Sequence, residues 1–174
     1  GRADYEAARG GTDTLALTIA PTMACNFACG YCFQGQHKPS KPMTPEVQDA
    51  IITFVKAHRG LRSLNIVWYG GEPLMGREAI FRLSDLLIAY CDKHGIAYGA
   101  SIVSNAWFLT ADVAAQLYAR RGSQVRITLD GDRETHDAMR HLTSGGRTFD
   151  CILANIEHTL DSTAQATQTR VNVG

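Results

Sequence analysis

The sequence predicts an α/β fold built on a parallel β-sheet. Two observations carry that expectation. Five short strand-like runs alternate with amphipathic helical stretches along the 174 residues, and the unusual residues gather just after the C-terminal ends of those runs. Strand–helix alternation calls for parallel neighbours joined by right-handed crossovers. The position of the unusual residues points to function, because open doubly wound sheets and (β/α) barrels both bind ligands at that edge. Periodicity alone leaves the two architectures open.

The strand-like runs cover residues 15–21, 64–69, 98–104, 124–129 and 169–173. Each is rich in β-branched or aromatic residues and is bounded by Gly, Pro, Asn or Asp. Helices fill the intervals. Thr44, Pro45 and Glu46 supply an N-cap, a first-turn proline and a first-turn acid ahead of Val47, Ile51, Ile52 and Val55. Ile80, Leu83, Leu86, Leu87 and Tyr90 mark a second helix that stops near His94 and Gly95. Thr110 caps a third, with Val113, Leu117 and Tyr118 on one face. A fourth carries Ile152, Leu153, Ile156 and Leu160 and runs to about Asp161.

Apolar residues make up 45% and charged residues 20%, the balance of a globular chain with a true core. The length suits one core domain, residues 14–174, behind a lead-in of residues 1–13. Seventeen basic residues offset seventeen acidic ones. Such neutrality argues against a nucleic-acid partner or an anionic membrane surface, each of which favours a concentrated positive field. No apolar run approaches the roughly 20 residues of a bilayer span, and no basic-then-apolar leader is visible. The expected location is the cytoplasm.

Five cysteines are present, three of them within eight residues: Cys25, Cys29 and Cys32. Cys91 and Cys151 lie far away in helix-like stretches and read as small apolar packing residues. A disulfide framework would be spread through a smaller secreted chain, so the cluster points to metal or redox chemistry. Its C-x3-C-x2-C spacing offers soft thiolates suited to zinc or to an iron–sulfur cluster. Structural zinc needs four closed ligands, and His37 is the nearby candidate for a fourth. An iron–sulfur cluster on three cysteines keeps one iron open, as a catalytic metal site requires.

The spacing Cys25-x3-Cys29-x2-Cys32, with aromatic Tyr31 before the last cysteine, resembles the signature of the radical S-adenosylmethionine (SAM) superfamily. Gly70-Gly71-Glu72-Pro73, after the second strand, resembles that family's GGE-P motif. Ser104-Asn105 and Thr128-Leu129-Asp130-Gly131 resemble its strand-end contacts to the SAM carboxylate and ribose. The string from Asp130 through His136, Asp137 and Arg140, followed by Gly145-Gly146-Arg147-Thr148-Phe149, resembles the SPASM-type subgroup. Peptide maturases and anaerobic sulfatase-maturating enzymes belong to it. Read without the rest, His136-Asp137 would suggest a metal-dependent phosphohydrolase.

The resemblance implies a partial (β/α)6 barrel, here truncated in its fifth strand, with the cysteine-rich C-terminal auxiliary-cluster domain absent. It implies a [4Fe–4S] cluster on Cys25, Cys29 and Cys32, with the open iron chelated by SAM. Gly70, Gly71 and Glu72 would hold the methionyl end, the glycines by letting backbone approach the ligand and Glu72 by accepting from the SAM ammonium. Ser104, Asn105, Thr128 and Asp130 would orient carboxylate and ribose; Tyr31 and Phe33 would border the adenine, and Arg140 would anchor an anion or a loop. The implied reaction is reductive cleavage of SAM to a 5′-deoxyadenosyl radical that takes hydrogen from a ribosomally made peptide. A flavodoxin- or ferredoxin-type donor would supply the electron, and auxiliary [4Fe–4S] clusters would sit in the missing C-terminal part. A formylglycine-forming sulfatase maturase is the alternative enzyme, and a non-catalytic iron–sulfur or zinc module the alternative of another class.

Overall fold

Five strands, β1 (Thr14–Ile19), β2 (Ser63–Trp68), β3 (Ala97–Ser104), β4 (Gly122–Ile127) and β5 (Arg170–Val173), form one sheet in the order β1-β2-β3-β4-β5. All neighbours are parallel. The computed structural model describes residues 13–35, 41–163 and 170–173. A doubly wound sheet reverses its strand order at a switch point. This sheet never reverses, and the sequential winding is that of a barrel opened at one side. Topology therefore decides between the two architectures that periodicity left open.

Successive strand residues face opposite ways, and the burial follows. Leu64, Ile66 and Trp68 of β2, Ala100 and Ile102 of β3, and Val125 and Ile127 of β4 are all buried on the helix-covered side. Burying a large apolar side chain contributes about 2 kcal/mol, so this side supplies most of the stability. The opposite face, with Asn65, Val67, Gly99, Ser101, Gln124 and Arg126, stays half-buried or exposed.

The covering helices are α1 (Pro45–Ala57), α2 (Arg77–His94), α3 (Ala111–Ala119), α4 (Arg133–Met139) and α5 (Phe149–Thr163), with a 3-10 turn at Pro73–Gly76 leading into α2. The expected caps are present: Thr44 Oγ1 accepts from the Val47 N–H and Thr110 Oγ1 from the Val113 N–H. The strand expectations shift by a residue or two. β1 stops at Ile19 and β4 at Ile127, so Pro21 and Leu129 belong to the loops that turn over the sheet edge. Thr169 lies outside the described residues. Helix α4 has no apolar periodicity and was not expected, although Asp132 caps it through Thr135 N–H.

Four residues assigned to apolar stripes are instead exposed: Val47 48%, Leu86 40%, Tyr118 42% and Leu160 44%. The helices touch the sheet along a narrower stripe than the 3.6-residue pattern suggests. In α1 the polar Gln48 takes an inward position because its amide is satisfied, Nε2 donating to Met43 O and Oε1 accepting from Arg82 Nη1. Cys91 is fully buried as expected, and Cys151 is half-buried beside Asn155.

Candidate active site

The loop after β1 carries the three cysteines, and two other segments grip it. From one side comes the turn after β2, where Gly71 N–H donates to Thr22 O (3.3 Å) and Glu72 N–H to Ala24 O (2.8 Å). From the other comes the stretch between α4 and α5. There Ala28 N–H donates to His141 O, Gly30 N–H to Met139 O and Thr143 N–H to Asn26 O, around an isolated Phe27–Leu142 bridge.

The glycines were expected to let backbone approach a ligand. Their tightest neighbour is the cysteine loop itself. A Cβ on Gly70 would lie 2.3 Å from Thr22 O, and one on Gly71 would lie 2.3 Å from both Met23 O and Ala24 O. Gly70 also holds φ 131°, a region open to glycine.

A cavity of about 210 Å³ opens above this junction. Cys25, Cys29 and Cys32 line it together with Tyr31, Phe33, Gly70, Gly71, Ser104, Asn105, Thr128 and Arg140. Four strand ends and α4 thus bring nearly all the expected site residues to one hollow. Glu72 and Asp130 lie outside its wall. Glu72 is fully buried, and its carboxylate accepts from Leu74 N–H (3.0 Å), Ser104 Oγ–H (2.8 Å) and Asn105 N–H (2.7 Å). Burial pushes its pKa up, against those donors and the Arg140 charge. It ties the end of β2 to the end of β3 where direct contact with a ligand was expected. Asp130 accepts the Tyr31 hydroxyl at 2.5 Å, and Arg140 Nη1 donates to the same hydroxyl at 2.6 Å. This chain of three pins the cysteine loop to the end of β4 and to α4.

Sequence reasoning passed over Gln34 and Asn155. Gln34 lines the cavity and donates to Gly70 O. Asn155 of α5 donates to Ala106 O and Trp107 O, holding the β3–α3 loop in which Ala106 adopts φ 62°. That loop carries Asn105, whose Nδ2 donates to Asn26 Oδ1 (2.9 Å) and stands 4.0 Å from Cys25 Sγ. A lone helical asparagine has no sequence signal that distinguishes it from a solvated one. His37 lies outside the described residues.

His136 and Asp137 brace the fold. His136 Nδ1 accepts from Asp130 N–H, and Nε2 lies 3.1 Å from Thr148 Oγ1, whose own proton goes to Arg140 O. The ring is therefore the neutral Nε2–H tautomer. Asp137 Oδ1 accepts from Thr148 and Phe149 N–H and caps α5. Both side chains are committed within the fold, which removes the basis for a phosphohydrolase pair. Burial, then the nearby Arg140 charge, hold the His136 pKa below its usual value. A lowered folded pKa means the brace is intact above the unfolded value of about 6.5 and is lost as pH falls towards the folded one. The unfolding midpoint should therefore drop in mild acid, and His136→Gln should remove that part of the pH slope. An identical slope in the two proteins would refute the assignment.

Zinc and an iron–sulfur cluster make different demands on the donor set. Among the described residues, no three His, Cys, Asp or Glu side chains are placed to share one metal ion. The three cysteines line a common cavity, and a [4Fe–4S] cluster takes one thiolate on each of separate irons. The residues fit the cluster better than a mononuclear zinc. Arg140, 8% exposed, lines the same cavity, and its buried Nε–H has no acceptor among the described residues.

Comparison with known proteins adds to this geometry. The Radical SAM superfamily profile matches residues 19–167. The chain is 27% identical over 137 residues to the serine-type anaerobic sulfatase-maturating enzyme of Klebsiella aerogenes, covering 77% of this chain and 34% of that protein. It is 30% identical over 168 residues to the mycofactocin maturase MftC of Mycolicibacterium smegmatis, covering 95% of this chain and 38% of that protein. The chain thus spans little more than a third of these relatives. In fold it is similar to native anSMEcpe with bound AdoMet and a peptide, at TM-score 0.79 and 23% identity over 92% of this chain and 42% of that one.

Proposed function

Because this chain belongs to the radical SAM superfamily, we propose that it is the catalytic core of a SPASM-type enzyme that modifies a ribosomally made peptide. The observation that carries the proposal is the joining of three cysteines and a largely buried arginine, Arg140, on one cavity. When bound, a [4Fe–4S] cluster and SAM supply a 5′-deoxyadenosyl radical that abstracts hydrogen from the substrate. The chain's own residues bind, orient and shield. Cys25, Cys29 and Cys32 ligate the cluster. Arg140 turns its guanidinium charge toward the SAM carboxylate, a charge-assisted contact. Gly70 and Gly71 present backbone to the methionyl end, and Ser104, Asn105 and Thr128 present short polar groups. Tyr31 and Phe33 border the adenine, and Asp130 holds Tyr31 in place.

The core domain is residues 14–174, and an auxiliary-cluster domain completes the protein. A flavodoxin- or ferredoxin-type protein donates the electron. The peptide-substrate reading is supported by the 30% identity to a maturase across 95% of this chain. A second reading, oxidation of a sulfatase residue to formylglycine, is favoured by the similarity to the Klebsiella enzyme. No helix among the described residues is long and apolar enough to cross a membrane, and the proposed setting is the cytoplasm.

Anaerobic reconstitution tests the core of this. The intact protein should take up at least about four irons and four sulfides. Its reduced EPR signal should change on adding SAM, and dithionite should yield 5′-deoxyadenosine. One zinc, no chromophore and no 5′-deoxyadenosine would overturn the proposal.

A further inference from the structure

The face of the sheet away from the helices is lined by small and uncharged residues. Ala16 and Thr18 of β1, Asn65 and Val67 of β2, and Gly99 and Ser101 of β3 share it. Across β1 to β4 one charge interrupts this surface, the exposed Arg126. Its strand neighbours Val125 and Ile127 are buried on the helix side, so Arg126 stands on the bare face. Two positions before it Gln124 lines the groove over that face, and two positions after it Thr128 lines the cysteine cavity. Arg126 thus stands between the groove and the candidate SAM site, about 7 Å along the strand from Thr128. Beyond its backbone pairing with β3 and β5, its side chain makes no hydrogen bond or ion pair among the described residues.

An exposed guanidinium is at ease in water. Covered by a substrate that excludes water, it becomes a costly unpaired charge unless the substrate brings an anion. A peptide laid along this face must do so to place a carbon beside the cavity, and a cationic side chain there would be repelled. We infer that Arg126 selects substrates by a carboxylate, held in a bidentate pair close to the carbon that reacts. The carboxylate belongs to an acidic side chain or to the peptide's C-terminus. This rests on the peptide-modifying reading above and narrows its substrate class.

Three degenerate heptapeptide pools test the inference on the intact, reconstituted and immobilised protein with SAM present. One pool has free C-termini and no Asp or Glu; one is amidated and contains Asp and Glu; one is amidated without them. Mass spectrometry of retained peptides should show the first or second pool held about tenfold above the third. That preference should fall about tenfold in Arg126→Gln and return in part in Arg126→Lys. Retention of the first pool assigns the C-terminus, and of the second an acidic side chain. Equal retention of all three, or a preference that survives Arg126→Gln, overturns the inference. Formation of 5′-deoxyadenosine by the wild-type protein without peptide is recorded alongside. If that is missing, the proposed SAM-cleaving activity fails whatever the pools do.

Discussion

Gly71→Ala is expected to abolish cluster loading and to destabilise the protein by about 3 kcal/mol or more. The added Cβ would sit 2.3 Å from two carbonyl oxygens, Met23 O and Ala24 O, and 2.7 Å from Ala24 C. These are backbone atoms of the loop that carries Cys25, so no rotamer change relieves the overlap. Either the β2–α2 turn or the cysteine loop must move. Moving the loop breaks the Glu72 N–H to Ala24 O bond and displaces Cys25, one residue further on. Gly30→Ala is the matched control. It lies in the same loop between Cys29 and Cys32, its φ is not positive, and a Cβ there meets nothing within 4 Å. Iron content after reconstitution and a urea unfolding curve of the apo-protein check both variants. Iron at the wild-type level in Gly71→Ala, or equal losses in the two, would show that close approach is not what requires glycine.

The contrast explains what was legible in the sequence. The cysteine spacing, the strand-end glycines and Thr128 could be placed because each motif is local, and a parallel sheet brings all strand ends to one edge. Arg140 and Tyr31 were picked out singly, yet the hydrogen bond joining them spans 109 residues and has no local signature. The motif-bearing string at His136 and Asp137 was legible, but its use was not. Whether a histidine and an aspartate serve chemistry or brace a turn depends on the Thr148 hydroxyl that meets His136 and on the Thr148 and Phe149 amides that meet Asp137. The helix faces were overread at Val47, Leu86, Tyr118 and Leu160 for a related reason. A periodic pattern gives the apolar arc of a helix, while the sheet beneath decides how much of that arc is covered.

Glu72 offers the sharper test of how the site is held. Glu72→Gln keeps the shape of the side chain and leaves Oε1 to accept from Leu74 N–H and Ser104 Oγ–H. Its amide then points a donor at the Asn105 N–H, which the carboxylate accepts at 2.7 Å in the native protein. Leaving one buried donor unanswered costs about 1–3 kcal/mol. Glu72→Ala leaves three unanswered and should cost more. Asn105 is the residue beside Cys25 and Asn26, so its displacement should weaken SAM binding about tenfold in Glu72→Gln, read by titrating the EPR change. The pH dependence separates this bracket from ordinary packing. Burial raises the folded pKa of Glu72 above its unfolded value, so the folded protein holds this proton more tightly. Glu72 therefore costs stability at neutral pH, and the cost is relieved as pH falls through the folded pKa towards the unfolded one. The stability difference between wild type and Glu72→Gln should widen in the wild type's favour on acidification. His136 loses stability over acid pH in both proteins and cancels from that difference. A difference that stays flat with pH would mean that the carboxyl does not titrate with a raised pKa, and that the three donors outweigh its burial.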